Sequence, residues 1–206
     1  VLKMPQVASK TAGPMRPVTY ADILALPAHL TGEILDGELV VSPRPRIRHA
    51  KGATAISAQL HHAFERQPNG PDRPGGWWIL VEPELHLGPH VVVPDVAGWR
   101  HQSLPELPDD AFFTQAPDWC CEVLSPDSGR RDRIQKSRIY ANQGVQWLWL
   151  VDPQYQTVEA FDNRGDGHWN LIDTWGGDDD ARVPPFEAVA LEIARWWMPV
   201  KPERDL

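Results

Sequence analysis

Hydrophobic positions change period several times along this chain, and each change marks an element. From His49 to Gln67 the apolar side chains Ala53, Ile56, Leu60 and Phe64 recur every three or four residues, which places them on one stripe of an amphipathic helix. From Trp77 to Leu87 the period drops to two. Ile79, Val81, Leu85 and Leu87 fall on one face and Glu82, Glu84 and His86 on the other, so a half-buried strand bent at Pro83 is expected. Val91 to Ala97 and Trp119 to Leu124 are two further strand candidates, separated by an acidic, proline-rich loop. Val145 to Val151 is apolar on both faces, as befits a strand inside a covered sheet.

Turn and cap residues punctuate these runs. Thr19 suits the N-cap of a short helix reaching Leu26, where Pro27 stops it. Asp36-Gly37 sits between two extended apolar runs and predicts a hairpin. Ser125 and Pro126 open a basic helix over roughly Arg130 to Gln143, with Asp127 and Asp132 in its early turns and Gly144 at its end. Val158 to Phe161 and Trp169 to Trp175 read as a second hairpin, and the tail from Phe186 to Trp197 closes with a short helix. The alternation of helices and strands predicts an α/β fold with a mixed sheet.

A length of 206 residues with 42% apolar and 23% charged positions suits one core-forming domain, expected over 15–200, with a loose extension at 1–14 and a polar tail at 201–206. The net charge of -8 opposes any mass attraction to nucleic acid, so such a site has to be local. Basic residues do cluster. Arg44, Arg46, Arg48, His49 and Lys51 precede or open the first long helix, and Arg130, Arg131, Arg133, Lys136 and Arg138 crowd the second. No run approaches the roughly 18 consecutive apolar residues of a membrane span, and the first residues lack a signal-peptide centre, so a cytoplasmic protein is expected. The two cysteines, Cys120 and Cys121, are adjacent and would point to opposite sheet faces, which leaves neither a disulfide framework nor a cysteine zinc site.

The chemistry-bearing set is Asp95 after Pro94, Glu122 within an apolar run, and Lys136 on the helix that follows. Desolvating a carboxylate costs several kcal/mol, roughly, and two on neighbouring strands repel. A divalent cation removes that repulsion, and Mg²⁺ favours one or two carboxylates together with waters and phosphate oxygens. A nearby ammonium could orient an attacking water. Against this stands a plainer reading, in which Asp95 caps a turn and Asp132 with Lys136 is an (i, i+4) pair stapling a surface helix. Glu33 and Glu84 are auxiliary acids to consider, beside their neighbours Glu38 and Glu82. The paired tryptophans 77/78, 147/149 and 196/197 read as core. Phosphate-loop, nucleophile-elbow and His-Glu-x-x-His patterns are absent.

Several stretches in order carry a resemblance: Glu33-Ile34-Leu35-Asp36-Gly37-Glu38-Leu39, Ser42-Pro43 with His49, and Val93-Pro94-Asp95-Val96-Ala97. The series continues with Ala116 to Pro126, with Asp132, Lys136 and Tyr140, and with Gly144-Val145 through Trp149 to Pro153. From about Tyr20 to Phe161 the chain resembles the Uma-type restriction-endonuclease family, a branch of the P-D-(D/E)-x-K nuclease superfamily. The resemblance implies a restriction-endonuclease-like αβββαβ core with a mixed sheet, carrying an N-terminal hairpin and a C-terminal β-hairpin extension. His49 to Gln67 would be its first helix and Arg130 to Gln143 its second. It implies Asp95 and Glu122 as ligands of Mg²⁺ or Mn²⁺, with His49 auxiliary to them. Leu124 stands where the superfamily has the lysine of Glu-x-Lys, and the lysine moves to the helix as Lys136, fourteen positions after Glu122.

The expected function is a metal-dependent endonuclease hydrolysing phosphodiester bonds of nucleic acid, DNA before RNA, with Arg44, Arg46, Arg48, Arg131 and Arg133 on the phosphates. A second reading is a catalytically silent nuclease-fold module that binds nucleic acid or a protein partner, motivated by the negative net charge and the displaced lysine. Cutting both strands of a duplex with one site per chain is most simply done by a homodimer, for which the Trp-rich region beyond Val158 offers apolar surface.

Overall fold

The computed structural model describes residues 16–65, 74–126 and 128–199. The expected extension at 1–14, the tail at 201–206, the end of the first long helix at Gln67, and Asp127 lie outside the described residues. Two helices precede the main strands: α1 (Tyr20–Leu24) and α2 (Ile47–Phe64). Between them, β1 (Thr31–Leu35) and β2 (Glu38–Ser42) form the expected hairpin. Asp36 and Gly37 both take positive φ, 52° and 83°, the backbone that a tight two-residue hairpin turn demands and that Asp-Gly tolerates.

Six strands make the main sheet: β3 (Trp77–Val81), β6 (Val96–Arg100), β7 (Trp119–Val123), β8 (Trp147–Asp152), β9 (Thr157–Asn163) and β10 (Trp169–Gly176). Their order is β10-β9-β8-β7-β6-β3, with β7 and β8 parallel and the other neighbours antiparallel. A third helix, α3, crosses over from β7 to β8 along 129–142 and consists of Gly129–Arg131, a π-helical turn at Asp132–Lys136, and Ser137–Asn142. With α2 leading, the series α2-β3-β6-β7-α3-β8 is the αβββαβ core, and β9-β10 is the C-terminal hairpin.

Two expectations about strands are corrected. Trp77 to Leu87 is not one bent strand. Glu82 takes φ 49°, which breaks the extended backbone, so β3 stays in the main sheet while β4 (Leu85–Leu87) leaves for another. Val91 to Ala97 divides in the same way. β5 (His90–Val92) joins β4, β6 belongs to the main sheet, and Pro94 and Asp95 form the joint between them, so Asp95 precedes a strand instead of lying within one. The departing segments pair with the N-terminal hairpin in a four-stranded sheet of order β2-β1-β5-β4.

Each face of the main sheet is covered. On one side, Ile56, Leu60 and Phe64 of α2 pack with Trp119, Cys121, Trp149, Phe186 and Trp196. On the other, Ile139 and Tyr140 of α3 and Leu35, Leu85 and Leu87 of the smaller sheet pack with Ala97, Cys120, Leu148 and Leu150. This double covering explains why β7 and β8 are apolar at nearly every position. Gly98 in β6 has no side chain because a Cβ there would lie 3.1 to 3.3 Å from Ile79, Trp119 and Trp77. Trp196 and Trp197 are core residues, 0% and 5% exposed, as the sequence reading expects. Among the described residues, no helix is long and apolar enough to cross a membrane.

Candidate active site

The joint before β6, the end of β7, the first half of β1 and the π-helical turn of α3 converge on one cleft of about 320 Å³. Glu33, Asp95, Glu122, Asp132 and Lys136 line it, with Glu82 and His49 at its sides and Arg44, Arg46 and Arg131 around it. β1 and β5 pair only at Ile34 and Val91, yet that pairing sets Glu33 beside the joint, where its Oε1 accepts the Val93 N–H at 2.9 Å. The wider π turn carries both Asp132 and Lys136 inward, and Ser137 closes it by donating its backbone N–H to the Asp132 carbonyl.

Lys136 is the hub. Its Nζ lies 2.8 Å from Glu122 Oε1 and 3.2 Å from Glu33 Oε1, and it donates to the Val93 carbonyl at 2.8 Å. An ammonium has three protons, and here three acceptors claim them. Tyr140 Oη donates to the same Glu122 oxygen at 2.5 Å. Asp95 Oδ2 accepts the Val123 N–H at 2.6 Å and lies 3.1 Å from His49 Nε2. The plain pairing of Asp132 with Lys136 on a solvated helix face does not hold, since the two are 4% and 3% exposed.

Charge in the cleft is unbalanced. Burial raises the Glu122 carboxyl well above its ordinary range, Lys136 pulls it down, and Asp132 and Asp95 push it up again. Burial likewise raises Asp132, against the pull of Lys136. Burial opposes the charged form of Lys136, but the surrounding carboxylates of Glu122, Glu33, Asp132 and Asp95 outweigh it and hold the ammonium protonated. His49 follows the same logic: burial disfavours its cation, while Asp95, Asp132 and Glu82 favour it and carry its pKa above the usual value. Four acids thus share one buried lysine.

A hard divalent cation is one chemical remedy for such an excess, and Asp95 and Glu122, which both line the cleft, are acids that could hold one. Mg²⁺ needs only one or two protein carboxylates when waters and phosphate oxygens complete its shell. Among the described residues, no three His, Cys, Asp or Glu side chains form a ready cation cage.

Of the residues singled out from the sequence, the fold brings Asp95, Glu122, Lys136, Glu33, His49, Arg44, Arg46 and Arg131 to the cleft. Arg131 reaches across it, donating to Ser42 Oγ at 3.2 Å. Three others point elsewhere. Glu84 lies 2.8 Å from His86, away from the cleft, and its neighbour Glu82 takes the place by the site because the backbone reverses between them. Arg133 is ion-paired with Glu159 at 2.6 Å. Arg48 donates to the Pro153 carbonyl at 3.5 Å. Asp132 and Tyr140 gain roles beyond those the sequence suggested. Asp132 is five residues before Ser137 and four before Lys136, and no local pattern announces a π turn.

Comparison with known proteins shows the family and the fold. Residues 20–195 match the family model Uma2, described as "Putative restriction endonuclease". No curated protein sequence matches the chain. Among solved structures, a crystal structure of a putative nuclease belonging to DUF820 from Anabaena variabilis ATCC 29413 is similar, with a TM-score of 0.69 and 24% identity. The match covers 88% of this chain and 98% of that one. At that identity the likeness concerns the fold, a restriction-endonuclease-like core.

Proposed function

The chain belongs to the Uma2 restriction-endonuclease family, and from that premise we propose that it is a metal-dependent endonuclease hydrolysing phosphodiester bonds, with DNA as its substrate. The observation that carries the reading is the buried set of four acids on one lysine, Lys136 to Glu122 and Glu33 at 2.8 and 3.2 Å, with Asp95 fixed beside it. Residues 15–200 act as one nuclease domain.

In this reading Asp95 and Glu122 would hold Mg²⁺ or Mn²⁺, which would supply positive charge against the negative charge developing on the phosphate. The Val123 N–H and His49 engage Asp95 Oδ2, which fixes the carboxylate and would leave its other oxygen for the cation. Glu33 and Tyr140 hold Lys136 and Glu122 in register. Lys136 presents a cation at the floor of the cleft, where the entering water and the phosphate meet. Arg44, Arg46 and Arg131 at the rim take the phosphates that flank the scissile one.

The second reading, a silent nuclease-fold module, draws on the same contacts, because a lysine with three acceptors has no proton left for water. A nuclease assay on single- and double-stranded DNA and RNA, with and without Mn²⁺, decides between them. Cleavage of DNA that disappears with chelator is expected; no cleavage of any substrate removes the enzyme. We place a homodimer contact at β10, an edge strand on which Leu171 and Ile172 are 57% and 41% exposed, and light scattering tests it.

A further inference from the structure

We propose that a second cavity, on the outer face of α3, is a phosphate subsite that holds the nucleic-acid strand on one side of the scissile bond. The inference rests on the nuclease reading above and adds a binding site to it. The cavity, of about 470 Å³, is lined by Asp36, Arg130, Arg131, Ile134, Gln135 and Arg138. Arg131 lines both this cavity and the carboxylate cleft, so the two adjoin through one guanidinium.

Three guanidinium groups face one carboxylate here, and that carboxylate is engaged: Asp36 Oδ2 accepts from Gln135 Nε2 at 2.8 Å, a bond that ties the hairpin turn to α3 and sets the floor. Among the described residues, no ion pair joins Arg130 or Arg138 to an acid, whereas Arg133, on the same helix, is held by Glu159 at 2.6 Å. Exposed cations without acids, next to a cleft rich in acids, are an arrangement suited to an external polyanion. Arg131 and Arg138 are seven residues apart on α3 and line the same cavity, so one strand lying along it meets both. Ile134, 47% exposed between the arginines, gives a sugar an apolar surface to rest on.

The subsite therefore selects polymers over small diesters. A strand that continues past the scissile phosphate reaches Arg130 and Arg138, and a diester the size of bis(4-nitrophenyl) phosphate fills the carboxylate cleft alone. The experiment compares wild type, the Arg130→Ala/Arg138→Ala double variant, and Arg133→Ala as a control whose side chain points elsewhere. Binding of a labelled single-stranded DNA oligonucleotide is followed by anisotropy across salt concentrations, and hydrolysis of the oligonucleotide and of bis(4-nitrophenyl) phosphate is followed with Mn²⁺.

For the double variant the slope of log affinity against log salt should shrink by about 1.4, since each single-strand phosphate that an arginine neutralises adds about 0.7 to it. Its oligonucleotide KM should rise about tenfold while kcat/KM on the small diester stays at the wild-type value. Arg133→Ala should match wild type throughout. If the double variant keeps the wild-type slope and KM, the subsite is overturned and the nuclease reading stands. If wild type hydrolyses neither substrate yet the double variant loses slope, the nuclease reading falls and the subsite survives as a binding site. A wild type that does not bind the oligonucleotide overturns the subsite outright.

Discussion

Lys136 Nζ and Glu122 Oε1 lie 2.8 Å apart, on different elements, with side chains 4% and 2% exposed. A lysine missing from the strand position after the glutamate is thus returned to it from the crossover helix, and the cleft keeps its cation. The same ion pair makes Lys136 a structural residue as well as a candidate for catalysis.

Lys136→Met should cost about 3–5 kcal/mol of stability, because it strands two buried carboxylates that lose their cation. Urea unfolding at neutral pH measures this, and adding Glu122→Gln to the variant should restore part of it. A loss below about 1 kcal/mol would mean that the pair contributes no more than an exposed ion pair. In Lys136→Met protein shown to be folded, cleavage at saturating DNA and Mn²⁺ should be slower by about 10²-fold, with DNA affinity nearly unchanged.

The pH dependence has a definite sign. Burial and neighbouring acids raise Glu122 when the chain folds, so its contribution is complete below the unfolded value of 4.5 and is lost as pH rises through the folded value. Glu122→Gln removes that titration and leaves Lys136 paired with Glu33. In chelator, the variant should therefore gain on wild type as pH rises above 4.5. Thermal melts across that range test it, and a gap that narrows with rising pH contradicts it.

His49 should act on the cation through Asp95. His49→Leu removes the group beside Asp95 Oδ2 and should weaken Mn²⁺ binding by about 10–100-fold in calorimetry. His49→Gln, which can still donate there, should recover much of the affinity. Equal Mn²⁺ affinity in wild type and His49→Leu would show that the Val123 N–H suffices to fix Asp95.

Packing makes its own prediction at Gly98. A methyl group there meets Ile79, Trp119 and Trp77 at 3.1 to 3.3 Å, and two of those neighbours are indoles with little room to yield. Gly98→Ala should lower stability by about 1–3 kcal/mol, read as a lower denaturation midpoint with an unchanged slope. A midpoint equal to wild type would mean that the sheet relaxes around the added carbon.

Much of the core is legible in the sequence because its signals are local. The doubly apolar run through Trp149 announces a strand covered on both faces, and Asp36-Gly37 announces its own turn. What escapes depends on distant partners. Alternation from Ile79 to Leu87 continues across Glu82, so nothing in the period shows that the chain changes sheets there. Glu33 reaches Lys136 only because β1 pairs with β5, strands far apart in sequence and touching at one residue pair. Arg133 and Arg131 are equivalent as members of one basic run, and only the π turn and Glu159 separate them. The acids and the lysine can be picked out one by one along the chain; long-range pairing decides which of them meet.

Cys120 and Cys121 are both fully buried in β7, one against the smaller sheet and α3, the other against α2 and the C-terminal segment. Burial raises both thiols well above their ordinary pKa, so neither reacts while the layers are closed. The adjacent pair is consequently a built-in two-channel probe of local opening. Under weak denaturant, alkylation of Cys120 times the detachment of the side that holds the carboxylate floor, and alkylation of Cys121 times the release of the opposite layer, within one molecule and without engineered cysteines.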